Sequence, residues 1–241
     1  MLTPKTCQGS VCPLVITLHG RGGRSEDALY GYGLDKTARK HGFILVSPEG
    51  QEHHWRDLDG DKLQERDLAF FGKLLDSVPS LSGDPKRVYV TGFSNGGGMT
   101  HVLGAHYSDR IAAIASGGAS IGALDDDMVY HTIPDPKKPI PVLMFHGMMD
   151  DIAGYNMQTF TVGVQDAALW WARRDHTNLT PHHSETGNHE VLVDRYDGPN
   201  GLQVELLSYK RMEHSWPSSE DRITGMDFDE VWWQFLSRYH L

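Results

Sequence analysis

One segment, residues 88–100, limits the folds that this chain can adopt. Residues 88–90 (Val-Tyr-Val) have high strand propensity, and they lead into Gly92-Phe93-Ser94-Asn95-Gly96 and then into a segment typical of a helix. This order predicts a sharp turn that lifts the Ser94 hydroxyl clear of a sheet. Glycines belong beside such a turn because side chains there would collide with the neighbouring chain. The alternative is an ordinary glycine-rich turn with a solvated serine.

Short apolar runs alternate with helical periodicity along the rest of the chain. Buried strands are predicted at 13–19, 43–47, 88–90, 111–115 and 141–146, and a turn at 197–201 is flanked by strands at 191–196 and 202–209. Helices are predicted at 25–41, 61–79, 159–173 and 226–239, with a further one after the serine motif. The alternation predicts a mostly parallel sheet with helices on both faces. No repeat or linker interrupts the 241 residues, so we expect one α/β domain, 1–241.

Candidate chemical groups each follow a predicted strand or turn. A serine hydroxyl needs a base, and the base needs an orienting acid. Ser94, Asp150 and His214 lie in the order serine, acid, histidine, which is one known order for this chemistry. Asp151 is the adjacent alternative for the acid, and we favour Asp150 because its neighbour on an extended turn would point away. Of fourteen histidines, His214 alone lies between the last predicted strand and helix.

Two backbone N–H groups are candidates for binding the oxyanion that forms on an acyl carbonyl. One belongs to Asn95, directly after the serine, and the other to Arg21, in the glycine-rich loop after the first strand. We interpret His19, at the start of that loop, as a structural histidine that packs beneath it. Sites of this kind form outside the carboxyl ends of parallel strands, so all these groups should share one edge of the sheet.

Charge and hydropathy narrow the possible partners. A formal net charge of −10 disfavours nucleic acid and anionic membrane surfaces, and no apolar run approaches the length of a membrane span. Residues 1–10 lack the features of a signal peptide, so we expect a cytoplasmic protein, or a secreted one if a leader preceded this sequence. Cys7 and Cys12 could close a small loop in an oxidising compartment or remain two unrelated thiols.

Histidine-rich segments raise the alternative of a metal hydrolase. His53 and His54 are adjacent, as are His182 and His183, with His189 close behind. Adjacent histidines point in different directions, so we interpret these segments as solvated loops rather than zinc sites. We expect neither a metal nor an organic cofactor.

Four motifs occur in order: His19 to Gly23, Asp84 to Gly97, His146 to Asp150 and His214 to Pro217. Together they resemble the polyhydroxybutyrate depolymerase and feruloyl or acetylxylan esterase group of α/β-hydrolases, from about residue 13 onward. The resemblance implies an α/β-hydrolase fold and an esterase that acts on small-molecule or polymer-attached esters. It also implies that Ser94 is the nucleophile, Asp150 the acid and His214 the base.

Two aromatic residues are candidates for substrate binding. The resemblance places Trp216 near the acyl or alcohol pocket, and Trp55 lies in a polar loop where it could also shape a pocket; packing roles are equally common for such residues. Most relatives are secreted, and most have an antiparallel hairpin before the first parallel strand. Only about a dozen residues precede Pro13 here, so we expect the sheet to lack that edge hairpin.

The substrate class stays open between feruloyl, acetyl and other short acyl esters and polyhydroxyalkanoates. A serine peptidase would share the same three residues, but the sequence shows no extra domain or pocket for basic residues. A non-catalytic binding protein on this fold would be expected to have lost one of the three, and none is missing.

Overall fold

The computed structural model describes residues 1–57, 62–124, 130–131, 133–156, 161–218 and 222–241. Within these ranges, the main strands are β1 Cys12–Leu18, β2 Ile44–Val46, β3 Gly83–Phe93, β4 Ala113–Gly117, β7 Val142–Gly147, β8 His182–Thr186, β9 Val191–Asp197 and β10 Gln203–Tyr209. These eight strands form one sheet in the order β2-β1-β3-β4-β7-β10-β9-β8. Two further short strands, β5 Ala123–Leu124 and β6 Tyr130–His131, pair antiparallel with each other.

The sheet is mostly parallel, as the alternating sequence pattern predicts. The first six strands in the sheet order run parallel, whereas β9 pairs antiparallel with β10 and β8 pairs antiparallel with β9. The helices are α1 Leu34–His41, α2 Lys62–Ser77, α3 Asn95–His106, α4 Val164–Arg174 and α5 Phe228–Leu236. The predicted first residues of two helices, Asp61 and Thr159, lie outside the described residues.

Alternation along the strands builds two apolar layers. In β1, Leu14 and Ile16 face the layer that holds α2, α3 and α4, while Val15 faces the layer of α1 and α5. Trp171 of α4 and Trp232 of α5, one on each side, are fully buried. Because both faces are covered, the central strands are apolar at almost every position, and this continuity made them recognisable in the sequence.

The edge next to β2 carries a single bridge instead of a hairpin. Leu2 donates its N–H to the Leu45 carbonyl at 2.8 Å, and the Leu45 N–H returns a bond to the Leu2 carbonyl at 3.0 Å. Cys7 and Cys12 are joined in a disulfide. The bond ties this N-terminal segment to the start of β1 and resolves the question that the sequence left open.

Two local predictions differ from the structure. The predicted helix 25–41 is broken: Asp27–Gly31 forms a wide turn, Gly33 adopts a left-handed φ of 74°, and α1 begins only after it. Ser25, the predicted first residue of that helix, donates its N–H to the Glu49 carboxylate at 2.7 Å. The second difference is β8, which was predicted as a polar loop. All five of its residues are exposed, so its sequence carries no apolar alternation.

Asp175, directly after α4, is a buried acid with only one of its two carboxylate oxygens hydrogen-bonded among the described residues. Its side chain accepts the Ile140 N–H at 3.0 Å through Oδ1, and Oδ2 has no partner among the described residues. Burial raises the pKa of Asp175 to about 8, against the opposing effect of the Ile140 N–H. Between its ordinary value of 3.8 and about 8, the unfolded chain releases this proton first, so stability falls as pH rises through that window.

Replacing Asp175→Asn should therefore become more stabilising as pH rises. The amide keeps the acceptor for Ile140 and removes the cost of ionising a buried acid. We expect the melting temperature of the variant, relative to wild type, to increase by several degrees between pH 5 and pH 8. Asp166→Asn, at an exposed position in α4, should give a constant difference over that range. Parallel melting curves for Asp175→Asn and wild type would contradict this prediction.

Candidate active site

Ser94 occupies a strained turn between β3 and α3. Its φ of 57° and ψ of −127° are values that residues with a side chain rarely adopt, at a typical cost of about 1–3 kcal/mol. The surrounding backbone holds it there: the Ser94 N–H donates to the Gly117 carbonyl at 2.9 Å, and the Ser94 carbonyl accepts the Gly98 N–H at 3.0 Å. This is the conformation that the Gly-x-Ser-x-Gly motif predicts.

The glycines around Ser94 are required by close approach of backbone to backbone. A Cβ on Gly96 would overlap the carbonyl oxygens of Leu18 and His19 at the end of β1, and one on Gly92 would overlap the carbonyl of Gly96. The first turn of α3 thus lies directly against β1 and β3. This contact brings the Ser94 turn beside the loop that follows β1.

Asp150 lies in the loop after β7 with both carboxylate oxygens bonded. Oδ1 accepts the N–H groups of Ile152 at 3.0 Å and Ala153 at 2.7 Å. Oδ2 lies 2.7 Å from His214 Nδ1 and 3.1 Å from His146 Nε2. Burial would raise the pKa of Asp150, but these donors outweigh it and hold the pKa at about 2. The carboxylate is therefore ionised at any pH near neutrality.

The neighbouring acid has a different environment. Asp150 is 6% exposed and its side chain points inward, whereas Asp151 is exposed to solvent. The contrast agrees with the reason for preferring Asp150, that adjacent residues on this turn point in opposite directions.

His214 lies beside the Ser94 turn, in the loop between β10 and α5. Its Nδ1 bonds to Asp150, and its ring centroid is 4.8 Å from that of Phe93, the residue before Ser94. Because the Asp150 carboxylate accepts a hydrogen bond, Nδ1 carries the ring hydrogen, and Nε2 of the neutral ring keeps its lone pair. The structure thus brings a bonded histidine and acid, more than sixty residues apart, to the turn that carries Ser94.

The loop after β1 passes next to Ser94, where the oxyanion donors were predicted. A Cβ on Gly20 would lie 3.4 Å from the Ser94 Cβ, which places Arg21 one residue from the contact. The loop is pinned by the bond from Gly22 N–H to the His53 carbonyl at 2.7 Å. Asn95, the other candidate donor, opens α3, whose first N–H groups have no partner within the helix.

The side chain of Asn95 links the Ser94 turn to the loop at 55–57. Its Nδ2 donates to the Trp55 carbonyl and to Asp57 Oδ1, both at 2.8 Å, and its Oδ1 accepts the Trp55 N–H at 2.7 Å. Burial raises the pKa of Asp57 to about 6, opposed by its own backbone N–H, the Arg21 charge and the Asn95 amide. The Asn95 side chain therefore ties the Ser94 turn to the loop at 55–57.

Trp55 lies in the core and not on a substrate surface. It is 2% exposed, and its Nε1 donates to the His19 carbonyl at 3.0 Å. Its ring contacts those of His19 and Phe71. The expected contact between Trp55 and substrate does not fit this placement, because a side chain that fills the core has no face left for a ligand. The indole instead holds the start of the loop after β1 through its hydrogen bond to the His19 carbonyl.

His19 also packs beneath that loop, as expected. Its ring is fully buried, with Nδ1 at 2.8 Å from the Gly20 carbonyl and Nε2 accepting the Gly50 N–H at 3.0 Å. Both ring nitrogens are used in backbone hydrogen bonds, so neither is available for proton transfer.

Trp216 belongs to an aromatic wall beside the site. Tyr32 stacks on it with ring centroids 4.4 Å apart and an interplanar angle of 4°, and Phe93, Phe145 and Phe228 meet it edge-on. Burial raises the pKa of Tyr32 to about 12, although a hydrogen bond with the Gly20 backbone lowers it in part. The Tyr32 hydroxyl therefore lies at the same loop as the candidate oxyanion donor.

Sequence reasoning missed two residues of this site. Tyr32 lies within the predicted helix 25–41. In the structure that helix is broken at Gly33, and the Tyr32 ring stacks on Trp216. His146 was noted only as part of a motif, yet it bonds the acid directly. A histidine four residues before an acid, at the end of an apolar strand, is the signal that would have identified it.

Three histidines of the histidine-rich segments bond to nearby carboxylates. His183 bonds Asp194 at 2.5 Å and His189 bonds Glu185 at 2.9 Å, both at the exposed edge formed by β8. His53 bonds Glu49 at 2.9 Å. Across the described ranges, the structure holds no cluster of three or more side chains suited to a metal ion, and no helix there is long and apolar enough to span a bilayer.

The strand order, and the position of Ser94 between the third sheet strand and the helix that follows, are those of the α/β-hydrolase fold. Solved structures with the same fold include the acetyl xylan esterase from Aspergillus awamori, with a TM-score of 0.67 and 15% identity over 97% of this chain and 92% of that one. The S-formylglutathione hydrolase from Agrobacterium tumefaciens has a TM-score of 0.60 and 13% identity over 98% and 87% of the two chains.

Curated relatives confirm the resemblance to feruloyl and acetylxylan esterases. Feruloyl esterase B of Piromyces equi is 27% identical over 90% of this chain and 41% of its own length. An acetylxylan esterase of Coprinopsis cinerea is 26% identical over 89% of this chain and 64% of its own length. The chain thus spans less than two thirds of the relatives that it matches. No protein-family model matches the sequence.

Replacing Trp55→Phe tests whether this residue packs or binds. The ring is kept, but the buried His19 carbonyl loses its donor, which typically costs about 1–3 kcal/mol of stability. We expect urea unfolding to show a loss of that size, with KM for an ester substrate little changed. Trp170→Phe, where the ring packs against Arg174 at the surface, should cost far less. A raised KM without loss of stability would contradict the packing role and indicate that Trp55 contacts the substrate.

Proposed function

We propose that this protein is a serine carboxylic-ester hydrolase that acts on feruloyl, acetyl or other short acyl esters, either small or attached to a polymer. Ser94 is the nucleophile, His214 the general base and Asp150 the acid that orients it. The N–H groups of Asn95 and Arg21 hold the oxyanion, and Trp216 lines the substrate pocket. The similarity to named feruloyl and acetylxylan esterases supports the reaction class.

One observation carries the proposal: the His214 Nδ1 to Asp150 Oδ2 bond of 2.7 Å at a turn where Ser94 is held at a φ of 57°. A buried anion that accepts the Nδ1 proton fixes the histidine in the tautomer that a base requires. The bond also stabilises the imidazolium that forms when the base takes a proton. The strained turn presents the hydroxyl, and α3 directs the positive end of its dipole at the same point.

The reaction has two halves. In the first, His214 takes the Ser94 proton as Oγ attacks the ester carbonyl carbon, and the oxyanion is held by the two N–H groups. His214 then protonates the leaving alcohol as the carbon–oxygen bond breaks, which leaves an acyl group on Ser94. In the second half, His214 takes a proton from water as the water oxygen attacks the acyl carbon. The acyl–Ser94 bond then breaks, His214 returns the proton to Ser94 Oγ, and the carboxylic acid departs. Protein groups and water suffice for both halves.

Replacing Ser94→Ala tests the nucleophile and the substrate class together. We expect kcat to fall by about a millionfold, to the assay background, on every ester that the wild type hydrolyses. The wild type and variant are compared on an aryl acetate, methyl ferulate, an acetylated xylan and a hydroxybutyrate oligomer, with a peptide anilide as the control for peptidase activity. Hydrolysis of these esters by Ser94→Ala at the wild-type rate would contradict the proposal that Ser94 is the nucleophile.

The two adjacent acids provide a matched pair. Asp150→Asn should lower kcat by about ten-thousandfold, because an amide can donate to His214 Nδ1 and so favours the wrong tautomer. Asp151→Asn removes the same charge from the next, exposed position and should leave kcat within about twofold, since a solvated charge affects the site weakly. Rates at pH 7 with the best ester from the panel give the comparison. Equal losses in the two variants would show that the acid is assigned wrongly.

A further inference from the structure

A second imidazole binds the acid on the oxygen that faces the proposed base. His146, near the end of β7, lies with its Nε2 3.1 Å from Asp150 Oδ2, the atom that His214 Nδ1 approaches at 2.7 Å. The same Nε2 lies 2.6 Å from the Ala153 carbonyl. The His146 ring is 1% exposed, so these contacts are shielded from water.

The partners of His146 define where its ring proton sits. A carboxylate and a carbonyl can only accept, so Nε2 carries the hydrogen and shares it between Asp150 Oδ2 and the Ala153 carbonyl. Nδ1 is buried and has no partner among the described residues. A second proton on Nδ1 would be buried without an acceptor, which is costly. His146 is therefore built as a neutral donor and does not act as a base.

We propose that His146 is a positioning residue, which fixes Asp150 Oδ2 against His214 Nδ1 and takes up part of the charge of that oxygen. This inference rests on the proposed triad. Ile152 and Ala153 hold Oδ1, but a carboxylate fixed at one oxygen by backbone N–H groups can still rotate. The bond from His146 fixes the second oxygen at the place where it meets the base.

Sharing Oδ2 also affects how strongly His214 binds its proton. A nearby anion favours the charged form of a histidine, and a donor that occupies the same oxygen weakens that effect. With His146 in place, we therefore expect activity to extend to lower pH. Without it, Asp150 would concentrate its charge on His214, and activity would begin only at higher pH.

Other titratable groups near His146 do not contact its ring nitrogens. Tyr155 stands edge-on at 5.8 Å and directs its hydroxyl to Ser208 of β10 at 2.6 Å. Burial raises the pKa of Tyr155, and the Asp194 charge on β9 raises it further, so the phenol stays neutral. Asp150 and His214 are therefore the charged groups that respond to a change at His146.

Two amide variants at position 146 separate the effect of losing the hydrogen-bond donor at Nε2 from the effect of losing the imidazole ring. In His146→Gln, the side-chain nitrogen reaches about the position of Nε2, whereas in His146→Asn it ends near Nδ1. We expect His146→Asn to lower kcat about tenfold and to raise the acidic limb of kcat/KM by about half a pH unit. His146→Gln should restore the wild-type limb. The measurement is the pH dependence of kcat/KM on an ester, with melting temperatures recorded in parallel.

Two results would overturn the inference. One is an acidic limb that is the same in wild type, His146→Asn and His146→Gln, even if kcat falls; the other is an equal shift in both variants. Ring-nitrogen NMR of the wild type gives a test without any variant. A signal for protonated Nε2 and bare Nδ1 on His146 supports the role, and the opposite tautomer rejects it.

Ser94→Ala distinguishes this inference from the function that it rests on. An active Ser94→Ala would end both. An inactive Ser94→Ala, together with identical pH profiles in the His146 variants, would leave the esterase mechanism standing and remove only the positioning role.

Discussion

The close packing of α3 against β1 and β3 is the constraint on which the rest of this structure depends. Glycine at positions 92 and 96 lets the helix begin in contact with two strands, and Ser94 must then adopt a left-handed conformation to connect strand to helix. Once the turn is placed, Gly20 of the loop after β1 lies next to Ser94, and the His214 ring lies beside Phe93. The packing of α3 against β1 and β3 offsets the cost of this one strained residue.

Much of the fold followed from the sequence because covered strands are apolar throughout and amphipathic helices repeat at three and four residues. The predictions failed at features that show neither a continuous apolar strand nor a helical repeat. Strand β8 pairs with β9 through backbone bonds and exposes all five of its side chains, so the pattern His-His-Ser-Glu-Thr shows no buried face. The break before α1 depends on one left-handed glycine, which a helical periodicity count does not register.

The candidate site shows the same division. Chain order and strand ends were enough to propose Ser94, Asp150 and His214, since parallel strands deliver their carboxyl ends to one edge of the sheet. Contacts made by side chains across the fold were not predictable in this way. Trp55 was expected at a pocket and lies in the core, and His146 was passed over although it bonds the acid. Loop position indicates where a residue is along the chain, but only packing determines which way it faces.

The two edge strands of the sheet, β2 and β8, differ from each other, and each affects whether the sheet can pair with a second chain. On one side β2 is only three residues long and is already paired in part with Leu2, so little unpaired backbone is available for another chain. On the other side, no described strand pairs with the outer edge of β8, but the side chains of β8 are polar or ionisable, and two of them bond to Asp194, His189 and Lys210. Neither margin is a long, flat, apolar template, and a sheet bordered in this way resists growing into edge-to-edge aggregates.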